Sequence, residues 1–277
     1  MAGSLTMTGD RPIRVVFFGG AYLQPGAQRF VAMLEANPEI DLVLGLCEGP
    51  GSGLRHRLVN LWRRRGLFAI PVLMADVAGE GMAFLRQPRQ WLAQRRHSAN
   101  AGPKIRSVAD VHAQPVLDRL REVAPDLGVI YGGPILRPAL FEIPRLGTLG
   151  IHHGRVPAYR GKKTTFWEMY NGESEAGITI QRITAGLDTG DIVRLASVPI
   201  GRKGYGRVWR EVEDLGCEVF IDAVLDMKHG RAILTPQSPQ SPQSPQRGPL
   251  YRQPSAGDLL RFWLRRLLRR PPAGSRS

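Results

Sequence analysis

Ile13-Arg-Val-Val-Phe-Phe-Gly-Gly20 is the stretch from which the fold is read. A short apolar run closed by two glycines has the pattern of a buried strand. Helical spacing follows from about Gly26 to Ala36. Asp41-Leu-Val-Leu-Gly-Leu46 is then a second apolar run, closed by Gly, Pro and Ser at 49–53. Strand, amphipathic helix and strand in succession predict an α/β domain, a mostly parallel twisted sheet flanked by helices. After the first strand stands only Gly19-Gly20, not G-x-G-x-x-G, which argues against a nicotinamide cofactor.

The same rhythm extends outward. Val116, Leu117, Leu120, Val123 and Ala124 share a helical face that Pro125-Asp126 ends, and Leu127-Gly-Val-Ile-Tyr131 is a further buried strand. Gly132-Gly-Pro leads to a short helix ended near Pro144, and Thr148 to His152 is strand-like. A helix is expected around Thr165 to Tyr170, β-rich runs at Ala176 to Ile183 and Asp191 to Val198, and a long helix carrying Val208, Val212, Leu215, Val219 and Ala223. Residues 54–65 and 80–100 read as helical. The core ends near Gly230. Pro236 to Gln246 repeats Pro-Gln-Ser, a linker composition with nothing to pack. Asp258 to Arg270 is an amphipathic basic helix, with Leu260, Trp263, Leu264 and Leu267 along one side and Asp258 in its first turn. The expected organisation is a domain over 11–230, a flexible linker over 231–250 and a basic helical tail over 251–277.

Composition narrows the class. At 277 residues, 43% hydrophobic and 22% charged, the chain can bury a core. Two cysteines, Cys47 and Cys217, make no disulfide framework, and neither they nor the six histidines have metal-ligand spacing, so no metal is expected. No apolar run reaches the ~20 residues that span a bilayer, and Met1 to Arg14 lacks the apolar core of a secretory signal. A cytoplasmic protein is expected. The net charge of +14 is concentrated in two segments: residues 51–100 hold nine basic and two acidic residues, and 251–277 hold seven and one. Such clusters attract phosphate-rich partners, or they are solvated helix faces. The tail helix can dock its apolar stripe on the core, pair with a second subunit in a homodimer, or make peripheral contact through 258–270 with the inner face of a membrane.

Chemistry concentrates in 126–191. His152 closes a strand, and the Gly186-Leu-Asp188-Thr-Gly-Asp191 turn follows 36 residues later. A lone histidine there is commonly a packing residue. A carboxylate returning beside it would fix the ring and stabilise its charged form, as a proton-shuttling histidine requires.

The runs Asp126-Leu-Gly-Val-Ile-Tyr-Gly-Gly-Pro-Ile-Leu-Arg-Pro-Ala-Leu140, Ile143-Pro-Arg-Leu-Gly-Thr-Leu-Gly-Ile-His152 and Pro157-Ala-Tyr-Arg-Gly161 resemble the formyltetrahydrofolate-dependent formyltransferases. That family includes methionyl-tRNA, glycinamide-ribonucleotide and amino-sugar formyltransferases. Gly172-Glu, Gly177-Ile-Thr-Ile and Gly186-Leu-Asp-Thr-Gly-Asp-Ile192 follow in the family's order. The resemblance implies a Rossmann-like formyltransferase fold and 10-formyltetrahydrofolate as co-substrate. It also implies a catalytic Asn, a His two residues later and an Asp. The last two match His152 and Asp188. The Asn position is Gly150, which offers a backbone N–H and room for a water or hydroxyl but no side chain; losing one oxyanion donor costs on the order of 10²–10³ in rate. Strand alternation puts His153 on the other face. The resemblance places the pteridine against Tyr131, Gly132, Gly133, Ile135 and Leu136 and against Ala185 and Gly186, largely through backbone. Arg160 either binds substrate or braces the turn with a carboxylate. Lys162 and Lys163 either meet an acceptor phosphate or are solvated surface.

The expected reaction is attack by a neutral primary amine on the formyl carbon. His152 shuttles the amine proton or stabilises the oxyanion, and Asp188 orients it. Many tRNA and ribonucleotide enzymes carry Ser-Leu-Leu-Pro where this chain has Gly154-Arg-Val-Pro157, and linker plus tail leave no length for the C-terminal barrel of the tRNA enzymes. Both point to a small, phosphorylated acceptor, a nucleotide- or lipid-linked amino sugar. The alternatives are a methionyl-tRNA formyltransferase-like enzyme and a catalytically impaired folate- or partner-binding member. A nucleic-acid-binding module rests on charge alone and is not favoured.

Overall fold

The computed structural model describes residues 11–20, 24–49, 104–237 and 248–268. The helices expected at 54–65 and 80–100 lie outside these residues, as does most of the Pro-Gln-Ser repeat. The elements run β1 (Ile13–Gly20), α1 (Pro25–Ala36), β2 (Ile40–Glu48), β3 (Ile105–Val108), α2 (Gln114–Val123), β4 (Leu127–Tyr131), α3 (Pro138–Phe141), β5 (Thr148–His152), β6 (Arg160–Gly161), α4 (Thr164–Asn171), β7 (Glu175–Arg182), β8 (Ile192–Pro199), α5 (Tyr205–Lys228), β9 (Leu250–Tyr251) and α6 (Ala256–Leu268). Seven strands form one sheet in the order β3-β2-β1-β4-β5-β7-β8, and β6 and β9 form a second, two-stranded one. This is the mostly parallel α/β fold expected from the sequence.

The chain divides into two compact units, Met1–Gly150 with Ile221–Ala232, and Ile151–Phe220 with Ile233–Ser277. In the first, β1 pairs in parallel with β2 (Val15 opposite Leu42) and with β4 (Val15 opposite Leu127). Phe17, Phe18, Leu42 and Leu127 are almost completely buried, as strands covered on both faces require. α1 starts on Pro25, whose missing N–H costs nothing at a first helical position, and buries Ala27, Phe30, Val31 and Leu34. Asp126 sits at the entry to β4. It accepts hydrogen bonds from Arg11 Nη2 (2.9 Å), Arg145 Nη2 (3.1 Å) and the Arg14 backbone N–H (3.0 Å). Burial alone would raise its pKa; these donors outweigh burial and hold it below the usual carboxylate range.

In the second unit β7 and β8 form an antiparallel hairpin, Ala176 opposite Val198. Ile178, Val198, Phe166, Met169, Val208, Val212 and Phe262 make its core. Three strands were not anticipated. β3 has no apolar run to betray it: its residues are half-buried or exposed, and it joins through backbone pairing of Gly45 with Ile105. β6 and β9 are two residues each, too short for any period to register.

The carboxy-terminal organisation also differs from expectation. Residues 231–237 are not a free linker: Thr235 bridges Ile192 through two 2.8 Å backbone bonds, and Gln237 donates to Gln181 Oε1 (2.9 Å) and the Gly190 carbonyl (2.6 Å). β9 lies beside β6, so 250–268 belongs to the second unit rather than standing apart as a tail.

Candidate functional site

The second unit brings His152 and Asp188 together. β5 ends at His152 and carries the ring into an environment where it is 8% exposed. Asp188 stands in the turn before β8 in a left-handed conformation (φ 51°), which an aspartate tolerates better than most residues. His152 Nδ1 lies 3.4 Å from Asp188 Oδ1. On the other side of the ring, Nε2 is 2.7 Å from the Tyr159 carbonyl oxygen. A carbonyl only accepts, so Nε2 carries a proton. A second proton on Nδ1 is accepted by Asp188, and the doubly protonated ring then has both N–H groups satisfied.

Asp188 is itself held by neutral donors. Its Oδ2 accepts the Gly161 N–H at 2.9 Å and its Oδ1 the Gln181 amide at 3.1 Å. Gly161 has a positive φ of 98°, and a side chain there would overlap the Tyr251 carbonyl of β9. The residue that holds Asp188 is therefore restricted to glycine by the adjoining strand pair. Arg160 braces the same turn through the Leu187 carbonyl (2.6 Å) rather than through a carboxylate, and its buried Nε has no hydrogen-bond partner. Ala185 and Gly186 are exposed on this turn. Lys162 is exposed and donates its backbone N–H to the Tyr251 carbonyl, whereas Lys163 opens α4 and places its ammonium 5.3 Å over the Trp209 ring.

His153 points away from this pair, as strand alternation requires. It packs on Trp209 with ring centroids 4.9 Å apart, and burial together with the nearby charges of His152 and Lys163 pushes its pKa down to about 3. It is a neutral packing group. Gly154, which the resemblance sets against a Ser of many tRNA and ribonucleotide enzymes, is tightly enclosed: a Cβ there would stand 2.6 Å from Thr164 Cβ and 3.0 Å from His152 Nε2. Its carbonyl accepts from Thr179 Oγ1 at 2.7 Å. The Gly154-Arg-Val-Pro157 turn is thus rebuilt around Thr164 and Thr179, and a serine would push against the imidazole.

One group the sequence reading missed is Glu168 on α4, 1% exposed. It accepts the backbone N–H of Arg155 (3.0 Å) and of Gly177 (3.1 Å), tying the turn after His152 to β7. Burial raises its pKa to about 7, against the lowering effect of those two N–H groups. The signal was faint: an acid one residue from the buried face of Thr165, Phe166 and Met169.

The first unit holds the other expected residues. Gly150 is buried on β5 opposite Ile130, two residues before His152. Tyr131 is buried with its ring 5.7 Å from Phe30, and Leu136 is buried as well, so neither side chain is open to a ligand. Gly132 and Gly133 are exposed, and Ile135 is 82% exposed, an apolar side chain left in solvent on a loop. Among the described residues one group of three such side chains lies close enough together to share a metal ion, Glu48, Asp110 and His112. His112 Nε2 there accepts the Arg137 N–H at 3.0 Å, so the ring serves the loop that follows the Gly132 turn.

A family model described as formyl transferase matches residues 75–224. Methionyl-tRNA formyltransferase of Geobacter sulfurreducens is 34% identical over 175 residues, covering 58% of this chain and 54% of that protein. The enzyme of that name from Methylobacterium nodulans is 31% identical over 195 residues, 70% of this chain and 58% of that one. The chain thus spans about half the length of the curated relatives it matches. Among solved structures, phosphoribosylglycinamide formyltransferase from Anaplasma phagocytophilum superposes with a TM-score of 0.55 at 13% identity, covering 83% of this chain and 97% of that one, a likeness of fold. The sequence match extends over more than half of the chain, across β5, the His152 turn and the Asp188 turn, and on that ground the chain belongs to the formyl transferase family.

Proposed function

We propose that this chain transfers a formyl group from 10-formyltetrahydrofolate to the primary amine of a small, phosphorylated acceptor, a nucleotide- or lipid-linked amino sugar. The observation that carries the reading is the His152–Asp188 pair, an imidazole and a carboxylate 36 residues apart in sequence and 3.4 Å apart in space. The amine nitrogen attacks the formyl carbon, and the carbonyl oxygen becomes negative. Collapse breaks the bond to the folate N10, which takes up the proton the amine gives away. His152, proton-bearing at Nε2, is the group to stabilise the oxyanion, and Asp188 accepts from Nδ1 and fixes the ring. To reach substrate, Nε2 exchanges its bond to the Tyr159 carbonyl for one to the reacting group. Exposed main chain at Ala185 and Gly186, on the turn that carries Asp188, is assigned to the folate. Arg160 and the exposed Lys162 are assigned to the acceptor. The choice of a small acceptor is supported by the rebuilt Gly154 turn, which departs from the sequence that many tRNA and ribonucleotide enzymes share.

A second reading, a member that binds folate without turning it over, is favoured by Gly150 and by the occupied Nε2. One assay separates the two: formyl transfer from 10-formyltetrahydrofolate to a panel of amino sugars, nucleotide sugars and methionyl-tRNA, with the wild type and His152→Ala side by side. Transfer to an amino sugar that falls at least about 10²-fold in the variant is the expected result. Equal background rates with retained folate binding would establish the second reading, and preference for methionyl-tRNA would overturn the acceptor class.

A further inference from the structure

α6 is held to the second unit by the side opposite the one its sequence suggests. Ser255 and Asp258 cap its start reciprocally: Asp258 N–H donates to Ser255 Oγ (3.2 Å), and Ser255 N–H to Asp258 Oδ2 (2.9 Å). Phe262 is 3% exposed and packs on Phe166 at 5.0 Å between centroids. Arg266 donates to the Lys203 carbonyl (2.5 Å), and Arg265 lies 4.7 Å over the Tyr170 ring. Residues 262, 265 and 266 therefore face the body, and the 3.6-residue period turns the leucine side outward. Leu259, Leu260, Trp263 and Leu264 are 44%, 61%, 56% and 47% exposed. A helix of a soluble protein buries this stripe; here one phenylalanine is buried and the stripe is presented to solvent. Beside it lies a pocket of about 190 Å³ lined in part by Lys163, Tyr205, Leu259 and Trp263.

The charge around this face selects the occupant. Arg252 and Arg261 are exposed, and the described residues 251–268 hold four arginines against one acid, Asp258. A symmetric pairing of two copies would bring like charge against like charge. An anionic bilayer satisfies both halves of the pattern, with acyl chains for the leucines and tryptophan and lipid phosphates for the arginines. At 13 residues α6 is too short to span a bilayer, and no helix among the described residues is long and apolar enough to cross one. We propose that α6 is a peripheral membrane-docking helix that seats Leu260, Trp263 and Leu264 in the headgroup–acyl boundary of an anionic bilayer. This inference stands apart from the formyl-transfer reading.

The test is flotation of the full chain with vesicles of phosphatidylcholine alone and of phosphatidylcholine mixed with phosphatidylglycerol. The wild type is expected to float with the anionic vesicles, less so as salt rises, and to stay behind with the neutral ones. Leu260→Glu combined with Trp263→Glu should weaken flotation at least about tenfold with an unchanged melting temperature, since both side chains are more than half exposed. Arg252→Gln with Arg261→Gln should weaken it less and flatten its salt dependence. A wild type that never floats overturns the proposal. So does a Leu260/Trp263 variant that floats like the wild type, which would assign binding to other basic residues such as those at 55–65. A fall in melting temperature in that variant, or its conversion from dimer to monomer in sedimentation, would mean that protein covers the face, and would equally overturn it.

Discussion

Asp126 and Asp188 stand at similar places in the chain, each in a turn that feeds a strand, and both side chains are largely buried, 4% and 12% exposed. Their partners differ in kind. Asp126 is surrounded by two guanidinium groups and a backbone N–H, so its charge is fully met within its own unit. Asp188 is held by a backbone N–H and a side-chain amide, both neutral, and among the described residues the group in ion-pair range of it is His152. Neutral donors fix a carboxylate in place without cancelling it. Charge-saturated, Asp126 is a fastening; held by neutral donors, Asp188 keeps its charge for an imidazole. Arg160, which could have quenched Asp188, is engaged by the Leu187 carbonyl instead.

Exchanging the two carboxylates for amides tests that contrast directly. Asp188→Asn should lower formyl transfer by about 10²–10⁴-fold, the range by which positioned acid–base groups contribute. Its melting temperature should move little, because the asparagine oxygen can still accept the Gly161 N–H. Asp126→Asn should do the reverse. It loses charge-assisted bonds from Arg11 and Arg145 and sets an amide among donors, for roughly 3 kcal/mol of stability, while the turnover number of the folded fraction stays at the wild-type value. Urea unfolding of both variants, read as a shift in midpoint at constant slope, checks the second half. Two variants with the same profile would dissolve the distinction between fastening and site.

Much of this was legible in the sequence. The strands at 13–20, 40–48, 127–131 and 148–152 announce themselves because a parallel strand covered on both faces must be a continuous apolar run. His152 and Asp188 were legible because the proposed chemistry rests on side chains, an imidazole and a carboxylate. Their supports were not: the Tyr159 carbonyl and the Gly161 N–H are main-chain groups, which any residue supplies. β6 and β9 were missed for the same reason, since two-residue pairing leaves no period. The tail shows a different failure. A helix over most of this segment was legible, with Leu260, Trp263 and Leu264 on one side, but amphipathicity names two faces and not which one is bound. Phe262, a single ring outside the stripe, decided that through its fit to Phe166.

Glu168 sharpens the comparison with a third carboxylate, one that has backbone donors and neither guanidinium nor imidazole among its hydrogen-bond partners. Burial raises its pKa to about 7 from the ordinary 4.5, so between those values the folded chain holds a proton that the unfolded chain has released. Its contribution to stability is complete below about pH 4.5 and is lost as pH rises through 7. Glu168→Gln carries no such proton. The stability difference, wild type minus variant, should therefore fall by roughly 2 kcal/mol between pH 5 and pH 8, the smallest of the three effects and the one with a pH signature. Denaturation of both proteins across that range measures it. A difference that stays flat would mean that two backbone N–H groups suffice to keep a buried carboxylate ionised at pH 5. In that case the guanidinium groups around Asp126 would not be what sets it apart.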